Sequence, residues 1–250
     1  MHTGGIMSDR RTELLAQCRP ELLSYATRLT ARPEVAEEVV QESFLRLLTE
    51  GQHLPDDSGE LRAWLFRVVS NLSIDHLRRH GTWRELTLVS ARSRAEQDRE
   101  FVAASVSMRG SPELGAIARE HLVVCFACTA RNLPPQQSAA LLLREVHAFS
   151  NTEAAAALDA TAVQVKNWVQ QARRTMREKY AATCALVNKQ GVCHQCVELD
   201  GFFNGGLRDP LAGTPRDLDA RIEILRSRGT APWTSWHCRM MRFIEDSLIS

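Results

Sequence analysis

Apolar side chains recur at helical spacing in two stretches of the chain, residues 10–80 and 116–182, and strand-like alternation of β-branched residues is scarce. The first stretch predicts three helices. Glu13 to Thr30 forms one, stopped near Arg32-Pro33. Glu34 to Glu50 forms the second, with Val40, Phe44, Leu47 and Leu48 on one face and Gly51 ending it. Glu60 to Arg79 forms the third, with Leu61, Leu65, Val68 and Leu72 as its apolar stripe. This third helix carries a second row: Arg67, Asn71, Asp75 and Arg78 stand at i, i+4, i+8 and i+11, flanked by Trp64 and Phe66. Such a row suits the solvated face of a three-helix bundle. It equally suits single-stranded DNA, where rings stack on bases, amides read base edges and guanidiniums hold phosphates.

The second stretch is more specific. Ser150-x-x-Glu153 has the form of a capping box opening a helix through Leu158. Asp159-Ala160 makes a short turn, and Thr161-x-x-Gln164 opens a longer helix to about Lys179. Val165, Trp168, Val169, Ala172 and Met176 form its buried stripe. Gln164, Lys166, Asn167, Gln170, Gln171, Arg173 and Arg174 are left outside. Two helices joined by a tight turn, the second rich in Asn, Gln, Lys and Arg, have the form of a DNA-reading helix-turn-helix. Amides can pair with adenine, and cations with guanine or phosphate. Within 161–180, Lys166, Arg173, Arg174, Arg177 and Lys179 face only Glu178, a local charge of +4. The preceding helix starts at Leu133-Pro134-Pro135, where a proline's missing N–H costs little. Leu141, Leu142, Glu145 and Val146 would pack beneath the reading unit.

Composition narrows the class. The 250 residues suffice for two or three small domains, and 44% apolar with 24% charged residues describes a folded chain. Net charge is +1, so any nucleic-acid contact must come from a local basic face. No stretch is long and apolar enough to span a membrane, and no secretory signal is seen at Met1–Arg11, with Met7 an alternative start; the expected location is cytoplasmic. Seven cysteines in such a chain point to metal, redox chemistry or buried thiols. Cys125 and Cys128 share a helix face and read as buried packing residues.

Residues 81–115 carry mixed charge and no apolar periodicity, and read as a linker. Residues 183–250 contain Cys184, Cys193 and Cys196, then Trp236-His237-Cys238. A CxxC knuckle lets two thiolates converge on one ion, so a structural zinc held by Cys184, Cys193, Cys196 and His237 is expected, with Cys238 or His194 as alternative fourth ligands. A redox dithiol and plain buried thiols are the competing readings. A tail this poor in aliphatic residues would gain much from a metal staple. A helix is expected near 217–228, and this helix and the final 236–248 segment could pack around the metal.

Three segments, PEVAEEVVQESFLRLL (33–48), LRAWLFRVVSNLSIDHLRRH (61–80) and LPPQQSAALLLREVHAFSNTEAAAALDATAVQVKNWVQQARRTMREKY (133–180), together resemble the extracytoplasmic-function sigma factors of bacterial RNA polymerase. The resemblance covers about 10–180. It implies an all-α chain: region two over 10–80, a flexible linker over 81–115 running toward the RNA exit path, region four over 116–182, and a Cys-containing extension over 183–250. It implies that Glu37, Glu38, Val40, Gln41, Glu42, Phe44 and Leu45 grip the largest polymerase subunit. Trp64, Arg67, Asn71, Asp75, Arg78 and Arg79 would melt and capture the minus-ten element, with Asn71 at a flipped base. Gln164, Lys166, Asn167, Gln170 and Arg174 would meet the minus-thirty-five element, beside Thr161, Gln171 and Arg173. Core RNA polymerase and promoter DNA are the implied partners, an anti-sigma factor is left open, and no membrane is involved.

The chain departs from the family at Asn167-Trp168, where Ser-Arg is usual, and at Gln171, where a basic residue is common. Region two is also only mildly basic, five arginines opposing Glu60, Asp75 and Glu85 over 60–85. The two lobes are expected to stand apart on their tether, and the tail to fold around zinc and tune access to DNA or polymerase. Two other functions compete: a helix-turn-helix regulator acting without polymerase, and a thiol oxidoreductase through Cys193 and Cys196. The sequence around Cys193 lacks the strand that a thioredoxin-like dithiol requires, and no catalytic constellation is recognisable, so an enzyme is not expected.

Overall fold

The computed structural model describes residues 3–50, 57–80, 85–107, 114–183, 217–227 and 232–247. Among them there is no strand, as the sequence predicts. None of the described helices is long and apolar enough to cross a membrane.

Region two is built from α1 (Thr3–Thr30), α2 (Pro33–Glu50) and α3 (Ser58–His80). Helix α1 ends where Ala31 adopts a left-handed conformation at φ 59°, turning the chain into α2. Asp57 starts α3 by accepting from the Gly59 and Glu60 N–H groups at 2.9 and 3.0 Å. Leu22, Tyr25, Leu29, Val40, Leu47, Leu65, Phe66 and Val69 fill the space between the three helices, and the Tyr25 hydroxyl bonds Ser70 Oγ at 2.9 Å. The buried seam of α2 is Ala36, Val39, Val40, Ser43 and Leu47. The small Ala36 and Ser43, the latter bonded to the Val40 carbonyl, let α2 approach closely on that side. This rotates Leu48, expected in the stripe, out to 54% exposure.

Region four comprises α6 (Leu114–Ala130), α7 (Pro135–Leu141), α8 (Asn151–Ala157) and α9 (Ala162–Thr183). Between α7 and α8 the chain widens into a π-turn over Leu142–Val146, then passes a second left-handed residue, Ala148 at φ 56°. Both expected capping boxes are present. Ser150 and Glu153 exchange side-chain-to-backbone bonds, and so do Thr161 and Gln164. Val165, Ala172 and Met176 are fully buried, with Trp168 and Val169 half-buried beside them.

Two features differ from expectation. The linker residues form α4 (Glu85–Gln97) and α5 (Arg99–Ser107), the latter begun by Asp98, which accepts from the Phe101 N–H. What they pack against is α11 (Ser235–Asp246) of the tail. Trp236 stacks on Phe101 at 5.1 Å between centroids and donates to Ser105, while Met240, Met241 and Ile244 close over Ala91, Val124 and Ala127. Arg239 reaches Asp98 at 2.7 Å. The apolar partner of the linker therefore lies more than a hundred positions away, and small residues such as Ala91 and Ala95 give it little apolar signature of its own.

The lobes also do not stand apart. Helix α3 packs on α7 and α8, and α1 on α6. Phe149 lies 4.7 Å from Phe66 between ring centroids, with the Arg62 guanidinium 4.5 Å from the Phe149 centroid and 4.9 Å from that of Phe66; His147 meets Tyr25 and Phe66 edge-on. Arg62 in turn pairs with Glu21 at 2.6 Å, and His147 Nδ1 lies 3.5 Å from the same carboxylate. Tail helix α10 (Leu218–Ser227) completes this shared core with Leu218, Ile222 and Leu225.

Candidate nucleic-acid interface

On α3 the polar row is fully outward. Arg67, Asn71, Asp75, Arg78 and Arg79 are exposed, opposite the buried Leu61, Leu65, Val69 and Leu77. Asp75 orders the end of the row, accepting from Arg78 Nη1 at 3.3 Å, while its own carbonyl accepts from Arg79 Nε. Trp64 is half-buried against the core, so only part of its ring is available for stacking.

On α9 the outward face holds Lys166, Asn167, Gln170 and Arg174, all exposed. The remaining predicted residues differ in how free they are. Gln164 folds back, its Oε1 accepting from the Thr161 N–H at 2.8 Å and from Thr161 Oγ1 at 3.0 Å, so both act first as the helix cap. Gln171 Oε1 accepts from Gln137 at 2.8 Å. Arg173 is the clear correction. It is half-buried, pairs with Glu145 at 3.1 Å and with Asp219 of α10, and Arg177 reaches the same Asp219 at 3.4 Å. The Arg173 bond holds the Asp219 carboxyl below its usual range. Helix periodicity places Arg173 at the margin of the buried stripe, but the acid that claims it belongs to the tail.

On α2, Glu37, Glu38, Gln41 and Leu45 are exposed, with Glu37 bonded to Arg19 at 2.6 Å and Glu42 bonded to Arg46 at 2.8 Å. Phe44 is half-buried. Val40 is 1% exposed within the three-helix core, so it packs the bundle and cannot itself touch a partner. Leu48, assigned to the core by its spacing, instead extends the outer face beside Leu45.

Cys184, Cys193, Cys196 and the alternative ligand His194 lie outside the described residues. His237 is fully buried: Nδ1 bonds Glu120 Oε1 at 2.7 Å and Thr234 Oγ1 at 2.9 Å, while Nε2 has no hydrogen-bond partner. Burial works against the Glu120 charge, but the bonds from His237 and Thr234 outweigh it and hold this carboxyl below the usual range. Cys238 is half-buried, with its thiol pushed up by burial. Cys125 and Cys128 are buried in α6, and Cys125 Sγ takes a bond from the buried Arg221 at 3.6 Å. Among the described residues no three His, Cys, Asp or Glu side chains are grouped to hold a metal ion.

Comparison with known proteins matches this layout. The Sigma-70 region 2 family matches residues 14–82, and the Sigma-70 region 4 family matches residues 124–176. The chain is 29% identical over 183 residues to the ECF RNA polymerase sigma factor SigG of Mycobacterium tuberculosis, covering 68% of this chain and 49% of that protein. It is 26% identical over 170 residues to SigE of Mycolicibacterium smegmatis, covering 68% and 61%. To the probable ECF sigma factor SigI of M. tuberculosis it is 28% identical over 208 residues, covering 83% and 64%. The chain thus spans about half of SigG and under two thirds of the other two. With both sigma-70 regions present in order, all-helical and each presenting a polar face outward, the chain carries sigma-70 regions 2 and 4 and is similar to the ECF RNA polymerase sigma factors.

Proposed function

We propose that this chain binds core RNA polymerase and directs promoter recognition, DNA melting and transcription initiation. The observation that carries the reading is the sidedness of α9: Val165, Ala172 and Met176 anchor the helix from behind, while Lys166, Asn167, Gln170 and Arg174 stand exposed in front, Arg174 in a loose 3.9 Å pair with Glu178. The α3 row supplies the second DNA surface, and Glu37, Glu38, Gln41, Leu45 and Leu48 on α2 supply the polymerase-facing one.

The reading also requires motion. Minus-ten and minus-thirty-five elements lie about 25 base pairs apart, roughly 85 Å of duplex. Lobes in contact through Phe66 and Phe149 cannot reach both elements, so the closed arrangement must part when polymerase and promoter are engaged.

Zinc in the tail is part of the proposal. A metal-bound imidazole commonly gives its other nitrogen to a carboxylate, and His237 offers that arrangement, with Nδ1 on Glu120 and Nε2 buried and unpartnered. His237 would hold the ion with Cys184, Cys193 and Cys196, and the ion would cross-link the tail. Metal analysis of the purified chain and of a Cys193→Ser, Cys196→Ser variant tests this; absence of metal from the intact chain removes it. A cytoplasmic location follows from the proposed role.

The functional test is a pull-down with core polymerase followed by run-off transcription on a genomic library. Co-purification and discrete start sites are expected. DNA binding without co-purification would favour the polymerase-independent regulator, and adding cell extract to the same pull-down tests for an anti-sigma factor.

A further inference from the structure

Helix α9 exposes one side chain that its DNA-reading role has not absorbed. Val163, in the first turn, is 69% exposed, more than any other large apolar residue among those described. It stands with Asn167, Gln170 and Arg174 at i, i+4, i+7 and i+11, so it occupies the same outward row as these exposed polar residues. Ala172, half a turn out of phase with it, is fully buried, so Val163 points directly away from the core. Lys166 lies one turn on, and the first-turn amide that would otherwise read a base, Gln164, is folded back as a cap.

A β-branched apolar side chain beside amides and cations at the start of a major-groove helix matches one chemical feature of the groove, the C5-methyl of thymine. We propose that Val163 is a specificity-determining residue that packs on the methyl group of one thymine in the upstream promoter element. The inference rests on the sigma-factor reading and adds a base preference to it. The side chain makes no hydrogen bond, so its selectivity comes from excluding water between two methyl surfaces, a factor of about four in affinity for one buried methyl. Asn167 and Gln170, one and two turns on, would read the neighbouring base edges.

The test uses the full chain loaded on core polymerase. Upstream sequences are first selected from a randomised library, and each thymine of the selected site is then replaced singly by deoxyuridine, which deletes only the methyl. For the unaltered chain, one position should lose about fourfold in binding on this replacement. Val163→Ala should bind that thymine and uracil equally while keeping its other preferences, and Val163→Thr, which retains a methyl, should keep part of the discrimination. Alanine favours the helix and the site is exposed, so neither variant should perturb folding. A selected site without thymine, indifference to deoxyuridine at every position, or discrimination that survives in Val163→Ala would each overturn the inference and leave the sigma-factor reading standing. A polymerase complex that selects no upstream sequence would overturn both.

Discussion

Replacing Phe149 by alanine should open the molecule without unfolding its helices. The ring is almost fully buried, and the rings and cations described around it, Phe66 and Arg62, belong to the other lobe. Its removal forfeits one aromatic pair, about 1 kcal/mol, one partly desolvated cation–π contact, about 1 kcal/mol, and the burial of a phenyl ring, about 2 kcal/mol. The total of about 4 kcal/mol lies within the usual range for Phe→Ala in a core, and shifts the closed-to-open ratio by roughly a thousandfold. The assay is small-angle X-ray scattering with far-UV circular dichroism. A compact chain of this length has a radius of gyration of about 18 Å, and separated lobes should carry it beyond about 25 Å. Helix content should be unchanged, and Phe149→Leu, which refills most of the volume, should lie between. A radius that stays near 18 Å in Phe149→Ala, with helicity intact, would refute the claim that this contact holds the lobes together. Loss of helicity along with expansion would show instead that the two lobes are one folding unit.

Acid should loosen the same contact. Burial pushes His147 below its ordinary value, only partly opposed by Glu21, and Arg28 and Arg62 add to the lowering; the closed state therefore binds a proton less readily than the open one. The stability this gives is present above about pH 6.5 and falls as the pH drops below it. Urea midpoints measured from pH 7.5 to 5.5 should fall, and His147→Gln should remove part of the fall, with the buried His121 accounting for more. Ala148→Gly should raise stability by about 0.5 kcal/mol, because it relieves a left-handed alanine at an exposed position; an unchanged or lowered thermal midpoint would contradict this. Lys166→Ala combined with Arg174→Ala should weaken binding to upstream duplex and reduce the slope of log K against log salt by about 2, and an unchanged slope would place neither cation at a phosphate.

The local chemistry was legible from the chain itself. Two capping boxes and the Val165–Met176 stripe define the helix-turn-helix because each signal is complete within a few residues. The row on α3 was legible for the same reason. What escaped was set by distant partners. Phe66 and Phe149 each look like an ordinary helix-flanking aromatic until the lobes meet. Arg173 satisfies the pattern of an outward DNA contact, yet Glu145 and Asp219 hold it. The family resemblance points Val40 at a partner, whereas the small Ala36 and Ser43 draw that side of α2 into the core and leave Leu48 outside. The linker helices were hidden because the apolar surface they bury against lies in α11, and no periodicity within 81–115 encodes it.

The central claim is that two helical lobes act on one promoter at two separated places while bound to polymerase. Footprinting of the polymerase-bound chain on a selected promoter, with permanganate probing of unpaired thymines, addresses it directly. Two protected patches about 25 base pairs apart are expected, with permanganate reactivity confined to the downstream one. Asn71→Ala should abolish that reactivity while leaving the upstream patch and polymerase binding intact. A single patch, or unpaired thymines that persist in Asn71→Ala, would contradict the account.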